Sequence, residues 1–352
     1  MSWANETIKK VEELRIPHRN FELAKLDISS ALLTMVPQEM LLIVGPTGVG
    51  KSLLAERLSP MILGAAGESE GKYAPVIKMS AMSSSVNGAF STKDFALSAL
   101  QAVRHPFYAL EQEGWHDAKR LNLVDRTAQG VFRVALKNAF KELRTKFWVI
   151  DELQEIKHIP KGVEGGSAFM DSLKGSVVDT EVRMIVISTY EILRVLLKST
   201  HLLRRKIQVH FSRYRSDKKE DVIAFDQILK VYSECIRFEG SRSLRDWNEY
   251  LYRGSLGCIG LLRPWLRDAL RMAWISNSRS LQFSHLEARR RSSSELSAIE
   301  SEILEGEELL ESGDEPLSSA TNRLIKQSGR AAKRPFRRRP KRDRRGNEGE
   351  VR

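Results

Sequence analysis

Gly45-Pro46-Thr47-Gly48-Val49-Gly50-Lys51-Ser52 decides the fold of this chain, because it has both the spacing of a phosphate-binding loop and the flanks such a loop needs. Upstream, Met40-Leu41-Leu42-Ile43-Val44 is a continuous apolar run, the pattern of a strand buried on both faces. Downstream, Leu53-Leu54-Ala55-Glu56-Arg57-Leu58 has helical spacing. The motif therefore joins strand to helix. Its glycines let the backbone curl so that N–H groups aim at phosphate oxygens. Lys51 is expected to reach the β- and γ-phosphates and the Ser52 hydroxyl to ligate Mg2+, which makes ATP with magnesium the expected ligand.

The complementary half of such a site is Lys146-Phe147-Trp148-Val149-Ile150-Asp151-Glu152, an apolar strand ending in two acids. Asp151 at the strand end is suited to holding Mg2+ through water, and Glu152 to polarising a water for attack on the γ-phosphate. Binding and hydrolysis thus fall to adjacent carboxylates, and the expected activity is conversion of ATP and water to ADP and phosphate.

Further strands are predicted at Ala74–Met79, Glu181–Thr189 and Lys206–Phe211. Helical patterns run over Asn5–Leu14, a segment before the loop's strand, Thr92–Val103 and Arg126–Leu143, with a loop from Ser80 to Ser91. Strands alternating with helices predict a parallel α/β sheet. Beyond Tyr214 only helices are expected, at Asp221–Cys235, Ser243–Tyr252 and Ile259–Ser276, which suggests a small helical lid. The expected organisation is an N-terminal extension (1–36), a nucleotide-binding α/β domain (37–214), a helical lid (215–286) and a largely disordered acidic-then-basic tail (287–352).

With 352 residues and 41% hydrophobic content the chain can bury a sizeable core. Cys235 and Cys258 are too few for a disulfide framework and lack metal-ligand spacing, so reduced thiols in an intracellular protein are expected. No basic-then-apolar leader and no apolar run of about 20 residues is present, so no membrane partner is expected. The formal net charge is +12 and unevenly placed. Nine acids and no base lie in residues 295–315, eleven bases and three acids in 330–352, and the body before them is basic as well. That balance favours a polyanion partner.

The order of phosphate loop, Asp-Glu strand, a strand ending in Ser188-Thr189, the pair Arg204-Arg205 and a helical lid resembles the layout of AAA+ ATPases. The resemblance implies that Thr189, or else Ser188, senses the γ-phosphate and orients the attacking water. It also implies that Arg204 and Arg205 supply an arginine finger to a neighbouring subunit, which requires a homo-oligomer, ring or helical. The sensor-2 arginine that many such lids carry in Gly-x-x-Arg is missing from Gly257-Cys258-Ile259-Gly260, which leaves Arg253 or Arg263 as substitutes.

Within that group, Val44 to Ser52, Val149 to Glu155, Ile187-Ser188-Thr189-Tyr190-Glu191, Leu203-Arg204-Arg205 and His210-Phe211-Ser212-Arg213-Tyr214 together resemble the TniB/TnsC regulators of transposition. The lid run Gly254 to Leu262 with Trp265-Leu266 is similar to that family's lid-helix start, and the resemblance spans roughly residues 15 to 275. It implies an ATP-dependent oligomer on double-stranded DNA that links a target-selector protein to the transposase and is disassembled by hydrolysis, in the cytoplasm and nucleoid of a bacterium. Lys93, Lys119, Arg120 and Arg126 are the candidate DNA contacts. A helicase loader or replication initiator would share every nucleotide residue, and a signalling switch that binds only protein would share them too.

Overall fold

The computed structural model describes residues 3–66, 73–86, 88–108, 126–199, 205–240 and 242–311. Two N-terminal helices, α1 (Trp3–Glu13) and α2 (Arg19–Thr34), precede β1 (Met40–Val44) and α3 (Lys51–Ala66). Then come β2 (Val76–Ser80), a small antiparallel pair β3 (Ser85–Val86) and β4 (Ala89–Phe90), α4 (Thr92–Ala102) and α5 (Gln129–Glu142). Next are β5 (Phe147–Asp151), α6 (Gly162–Val177), β6 (Arg183–Ser188), α7 (Glu191–Leu196) and β7 (Lys206–His210). The C-terminal part is helical: α8 (Lys219–Cys235), α9 (Asn248–Ser255), α10 (Ile259–Ile275), α11 (Phe283–Glu287) and α12 (Ser293–Glu311).

All five strands expected of the main sheet form it, every pairing is parallel, and the order is β2-β5-β6-β1-β7. The fold is thus the AAA+ P-loop type, a parallel sheet flanked by helices with a helical C-terminal region. Continuous apolar strands sit in its middle: all five residues of β1 are buried, as a strand covered on both faces requires. Register then fixes the site, because Val44 pairs with both Ser188 and His210, and Ser80 with Asp151. The phosphate loop, the acid pair and the Ser-Thr strand end emerge along one edge, the carboxyl edge where open α/β sheets bind ligands.

Two apolar clusters hold this together. One joins α2 and α3 to the sheet through Ile28, Leu41, Ile43, Leu54, Leu58 and Ile185. The other joins the C-terminal helices through Phe225, Ile228, Leu251, Leu262, Trp265 and Leu266, and Val11 of α1 belongs to it. The N-terminal extension is therefore divided between the two cores: α2 covers the sheet and α1 packs with the helical region.

Three features depart from the sequence expectations. The Ser80–Ser91 stretch, expected as loop, holds a 3-10 turn at Ala81–Ser84 and the β3–β4 pair. Helices α6, α7 and α11 have no counterpart among the predicted elements; in α6 four glycines dilute the periodicity, and the other two are short. Gly165 is needed in α6 because a Cβ would stand 2.3 Å from the Pro160 carbonyl oxygen.

The third departure corrects the disordered tail. Residues 293–311, within the segment expected to be disordered, form helix α12. Composition misleads here: most of the acids lie on the outside, while Leu296 and Ile303 pack against Leu256, Cys258 and Leu261, with Ile299 beside them, and Glu307 is buried. Ser292 and Glu295 close the N-terminus reciprocally, the Glu295 N–H donating to Ser292 Oγ at 3.3 Å and the Ser292 N–H to Glu295 Oε2 at 2.9 Å. By contact the chain divides into residues 1–307 and 308–352, and of the second unit only 308–311, the end of α12, are described.

Candidate active site

The phosphate loop is built for close backbone approach. A Cβ on Gly45 would lie 2.3 Å from the Phe211 carbonyl oxygen, and Gly48 and Gly50 take φ of +76° and +110°. Lys51, the first residue of α3, is only 8% exposed and donates to the Gly45 and Pro46 carbonyls at 2.9 Å each. Burial holds its ammonium below the ordinary lysine range, against the pull of Glu152, Glu302 and Asp151. Incoming phosphate oxygens would take over those two hydrogen bonds and supply the charge that the buried lysine lacks. Ser52 is exposed at the helix start, on the same edge.

Asp151 ends β5, and its Oδ1 accepts from the Glu152 N–H at 2.9 Å. Burial, and then the Glu152 charge, pushes its carboxyl above the usual aspartate range, partly offset by that hydrogen bond, Lys78 and Lys51. A cation beside it would reverse the balance. Glu152 adopts a left-handed backbone, φ +57°, so the chain turns sharply off the strand. Its carboxylate accepts from Gln154 Nε2, while Gln154 Oε1 accepts from Ser188 Oγ at 3.0 Å and the Thr189 N–H at 3.2 Å. Thr189 Oγ1 is buried with no hydrogen-bond partner. Of the two strand-end hydroxyls, Ser188 is therefore engaged within the protein and Thr189 is the one left to a ligand.

The lid approaches the loop through glycine. A Cβ on Gly260 would stand 2.4 Å from the Gly48 carbonyl oxygen, and one on Gly257, φ +72°, 2.0 Å from that of Tyr214. No side chain fits where the Gly-x-x-Arg pattern puts its arginine, which accounts for the missing sensor 2. Of the substitutes, Arg253 is exposed and paired with Glu249 at 2.6 Å. Arg263 instead donates to Leu14 O at 2.8 Å and Tyr232 Oη at 3.1 Å, on the wall of a 150 Å³ cavity with His18, Phe21, Gly50, Leu53 and Gly260. This cavity lies beside the loop and is mostly apolar. The sequence did not single out Ile16, His18 and Phe21 as neighbours of the loop, because a recess assembled from separate segments leaves no spacing signal. Larger cavities of 410 and 660 Å³ lie elsewhere on the protein, away from the loop.

Helix α12 also reaches the site. The Thr47 hydroxyl donates to Glu302 at 3.2 Å, and Glu307 pairs with Arg213 through two hydrogen bonds of 2.9 and 3.0 Å. A Cβ on Gly306 would come within 2.1 Å of the Tyr190 ring, and Arg194 pairs with Glu305. Tyr190 and Arg213, two of the residues that carry the transposition-regulator resemblance, are thus engaged in internal packing.

The remaining candidates lie apart. Arg205 precedes β7 at the opposite edge of the sheet, exposed, donating to Gln38 Oε1 at 3.3 Å. The five-residue strand that follows it separates it from its own loop's edge by roughly 17 Å, so any role as a finger belongs in another copy's site. Lys93 on α4 is half-buried and Arg126 exposed. Arg204, Lys119 and Arg120 lie outside the described residues.

A magnesium nucleotide fits the residues present. The unpartnered Thr189 hydroxyl, the glycine cradle and a lysine in need of an anion all ask for one. Among the described residues no group of three His, Cys, Asp or Glu side chains could hold a metal. No helix among them is long and apolar enough to cross a membrane.

Comparison with known proteins agrees on the fold. Residues 35–196 match the family model described as an AAA domain. No curated protein matches the sequence. Among solved structures, Drosophila ORC bound to DNA matches with a TM-score of 0.50 and 11% identity over 93% of this chain and 84% of that one. The Aeropyrum pernix ORC2 protein, in its ADPNP-ADP complexes, matches with a TM-score of 0.46 and 16% identity over 80% and 70%. Cdc6p from Pyrobaculum aerophilum matches with a TM-score of 0.48 and 15% identity over 76% and 65%. Residues 35–196 are an AAA-type P-loop ATPase domain.

Proposed function

We propose that this chain is a nucleotide-switched ATPase that acts on double-stranded DNA as a homo-oligomer. The observation that carries the ATPase reading is the convergence of Lys51, Asp151, Glu152 and the unpartnered Thr189 hydroxyl on one sheet edge. Lys51 and the loop N–H groups bind the phosphates, and the Ile16–Phe21 recess takes the base. Ser52 and Asp151 hold the magnesium, which when bound neutralises developing phosphate charge. Glu152 takes the proton of a water aligned by Thr189 as it attacks the γ-phosphate. Arg204 or Arg205 of an adjacent copy stabilises charge in the transition state.

The DNA reading rests on the basic body of the chain and on the fold shared with a complex described as bound to DNA. Many basic protomers along one duplex give affinity without sequence readout, with Lys93, Lys119, Arg120 and Arg126 as candidate contacts. Within this reading the motif resemblance favours a regulator of transposition joining a target selector to a transposase. The initiator-type alternative has the same nucleotide chemistry and would load a partner ring instead.

Duplex-DNA binding by the full chain without nucleotide, with ADP and with a non-hydrolysable ATP analogue, at two salt concentrations, tests the proposal. Salt-sensitive, sequence-independent binding is expected in the ATP state, lost in Lys51→Ala and persistent with ATP in Glu152→Gln. Absence of binding in every state would overturn it in favour of a protein-only switch. Stimulation of a transposase, against loading of a helicase, then separates the two DNA readings.

A further inference from the structure

We infer that Gln154 is a positioning residue for hydrolysis, its side-chain amide tying the Glu152 carboxylate to the end of β6 beside Thr189. The inference rests on the ATPase reading and adds a residue that the motif patterns do not assign. Glu152 leaves β5 at φ +57° with a long, rotatable side chain, so backbone geometry alone leaves its carboxylate free to swing. Gln154, two residues on in the 3-10 turn Leu153–His158, is 7% exposed and supplies the missing restraint.

Its partners fix the amide's orientation. Oε1 faces two donors, Ser188 Oγ at 3.0 Å and the Thr189 N–H at 3.2 Å, while Nε2 faces the Glu152 Oε2 acceptor. Reversing the amide would set donor against donor and oxygen against carboxylate. With Oε2 held, Oε1 of Glu152 is the oxygen left for a water proton. The same amide grips the backbone N–H of Thr189, whose hydroxyl is unpartnered and buried. A shift of Thr189 as it engages a phosphate is therefore passed to Glu152 through one rigid planar group. Asparagine is a methylene too short to span the gap, and glutamate replaces the donor with a second carboxylate.

Single-turnover ATP hydrolysis by the full chain tests this with Gln154→Met and Gln154→Glu, each in the parent and in a Glu152→Gln background, alongside ATP affinity and thermal unfolding. Gln154→Met keeps the volume and removes the hydrogen bonds. The expected result is a fall of about 10-fold or more in the hydrolysis rate with ATP affinity within two-fold, and no further fall in the Glu152→Gln background, because residues that act as a unit are not additive. An unchanged rate, or the same fold loss in both backgrounds, overturns the inference. Should both Gln154 variants fail to fold, Ser188→Ala leaves the amide in place with one donor fewer. It is expected to slow hydrolysis two- to five-fold in the parent only, and an unchanged rate would again overturn the inference. A Glu152→Gln protein that hydrolyses ATP as fast as the parent would instead sink the ATPase assignment of that carboxylate, an outcome distinct from a silent Gln154.

Discussion

The phosphate loop and helix α12 touch at Thr47 and Glu302, yet they are held in place by opposite means. The loop is largely a local object: three glycines, a buried strand behind it and a helix ahead set the course of its backbone. The helix is placed by distant partners: Leu296 and Ile303 against the lid start, Gly306 against Tyr190, and Glu307 against Arg213. A strongly acidic segment can therefore sit at the entrance of an anion site, because apolar burial and one buried ion pair fix it there. The Arg213 and Glu307 side chains are 14% and 8% exposed, so neither can fall back on water if the other is removed.

This contrast can be broken most severely at that pair. Arg213→Ala is expected to cost about 3–5 kcal/mol in denaturant unfolding, since it strands a buried carboxylate and also deletes bonds to Tyr252 Oη and Leu256 O. The double variant Arg213→Met with Glu307→Leu should recover most of the loss. If Arg213→Ala proves as stable as the parent, α12 is not anchored as described.

Acidification probes the loop's other neighbour. Burial, and then the Arg263 charge, pushes the His18 imidazole down to about 4, while its Nδ1 shares a 2.8 Å hydrogen bond with Tyr214 Oη. A folded value below the unfolded one makes the unfolded chain bind the proton first, so stability is complete above about pH 6.5 and falls as the pH drops toward 4. At pH 5 the loss is about 2 kcal/mol. His18→Gln should lose that much less between pH 7 and 5, and equal slopes in the two proteins would rule out this source.

Gly306→Ala sets helix propensity against packing. Alanine gains about 1 kcal/mol in a helix interior, but its methyl would meet the base of the Tyr190 side chain at 2.1–2.4 Å. A net loss of about 1–2 kcal/mol is expected, and stabilisation would show that the helix end is loosely docked. The smallest effect belongs to Glu302→Gln. Its contact with Thr47 is exposed, so stability should change by less than about 1 kcal/mol. Removing a negative charge beside the loop should tighten ATP binding about two- to five-fold at low salt, and less at high salt. Weaker binding would mean that the Thr47 hydrogen bond helps to hold the loop in its binding form.

Much of the site was legible because its signals are local. The spacing of Gly45 to Ser52, the apolar runs ending at Val44 and Asp151, and the hydroxyls closing β6 each follow from a few adjacent residues, and five parallel strands followed from them. Helix α12 was legible in principle: Leu296, Ile299 and Ile303 recur at helical spacing behind a Ser292-x-x-Glu295 capping box, but a charge count treats the segment as solvated. Gln154 gave no such warning. A glutamine two residues past an acid pair acquires meaning only when β6 brings Ser188 and Thr189 to it.

The sequence by itself determined the phosphate loop, the order of the strands along the chain and the acid pair, because steric and hydrophobic periodicity act over a few residues and need no partner. Tertiary structure alone decided which hydroxyl at the end of β6 stays unpartnered, why no arginine fits at Gly260, and where the acidic helix rests. Those outcomes depend on distances between residues far apart in the chain, and on whether a buried polar atom finds its partner there.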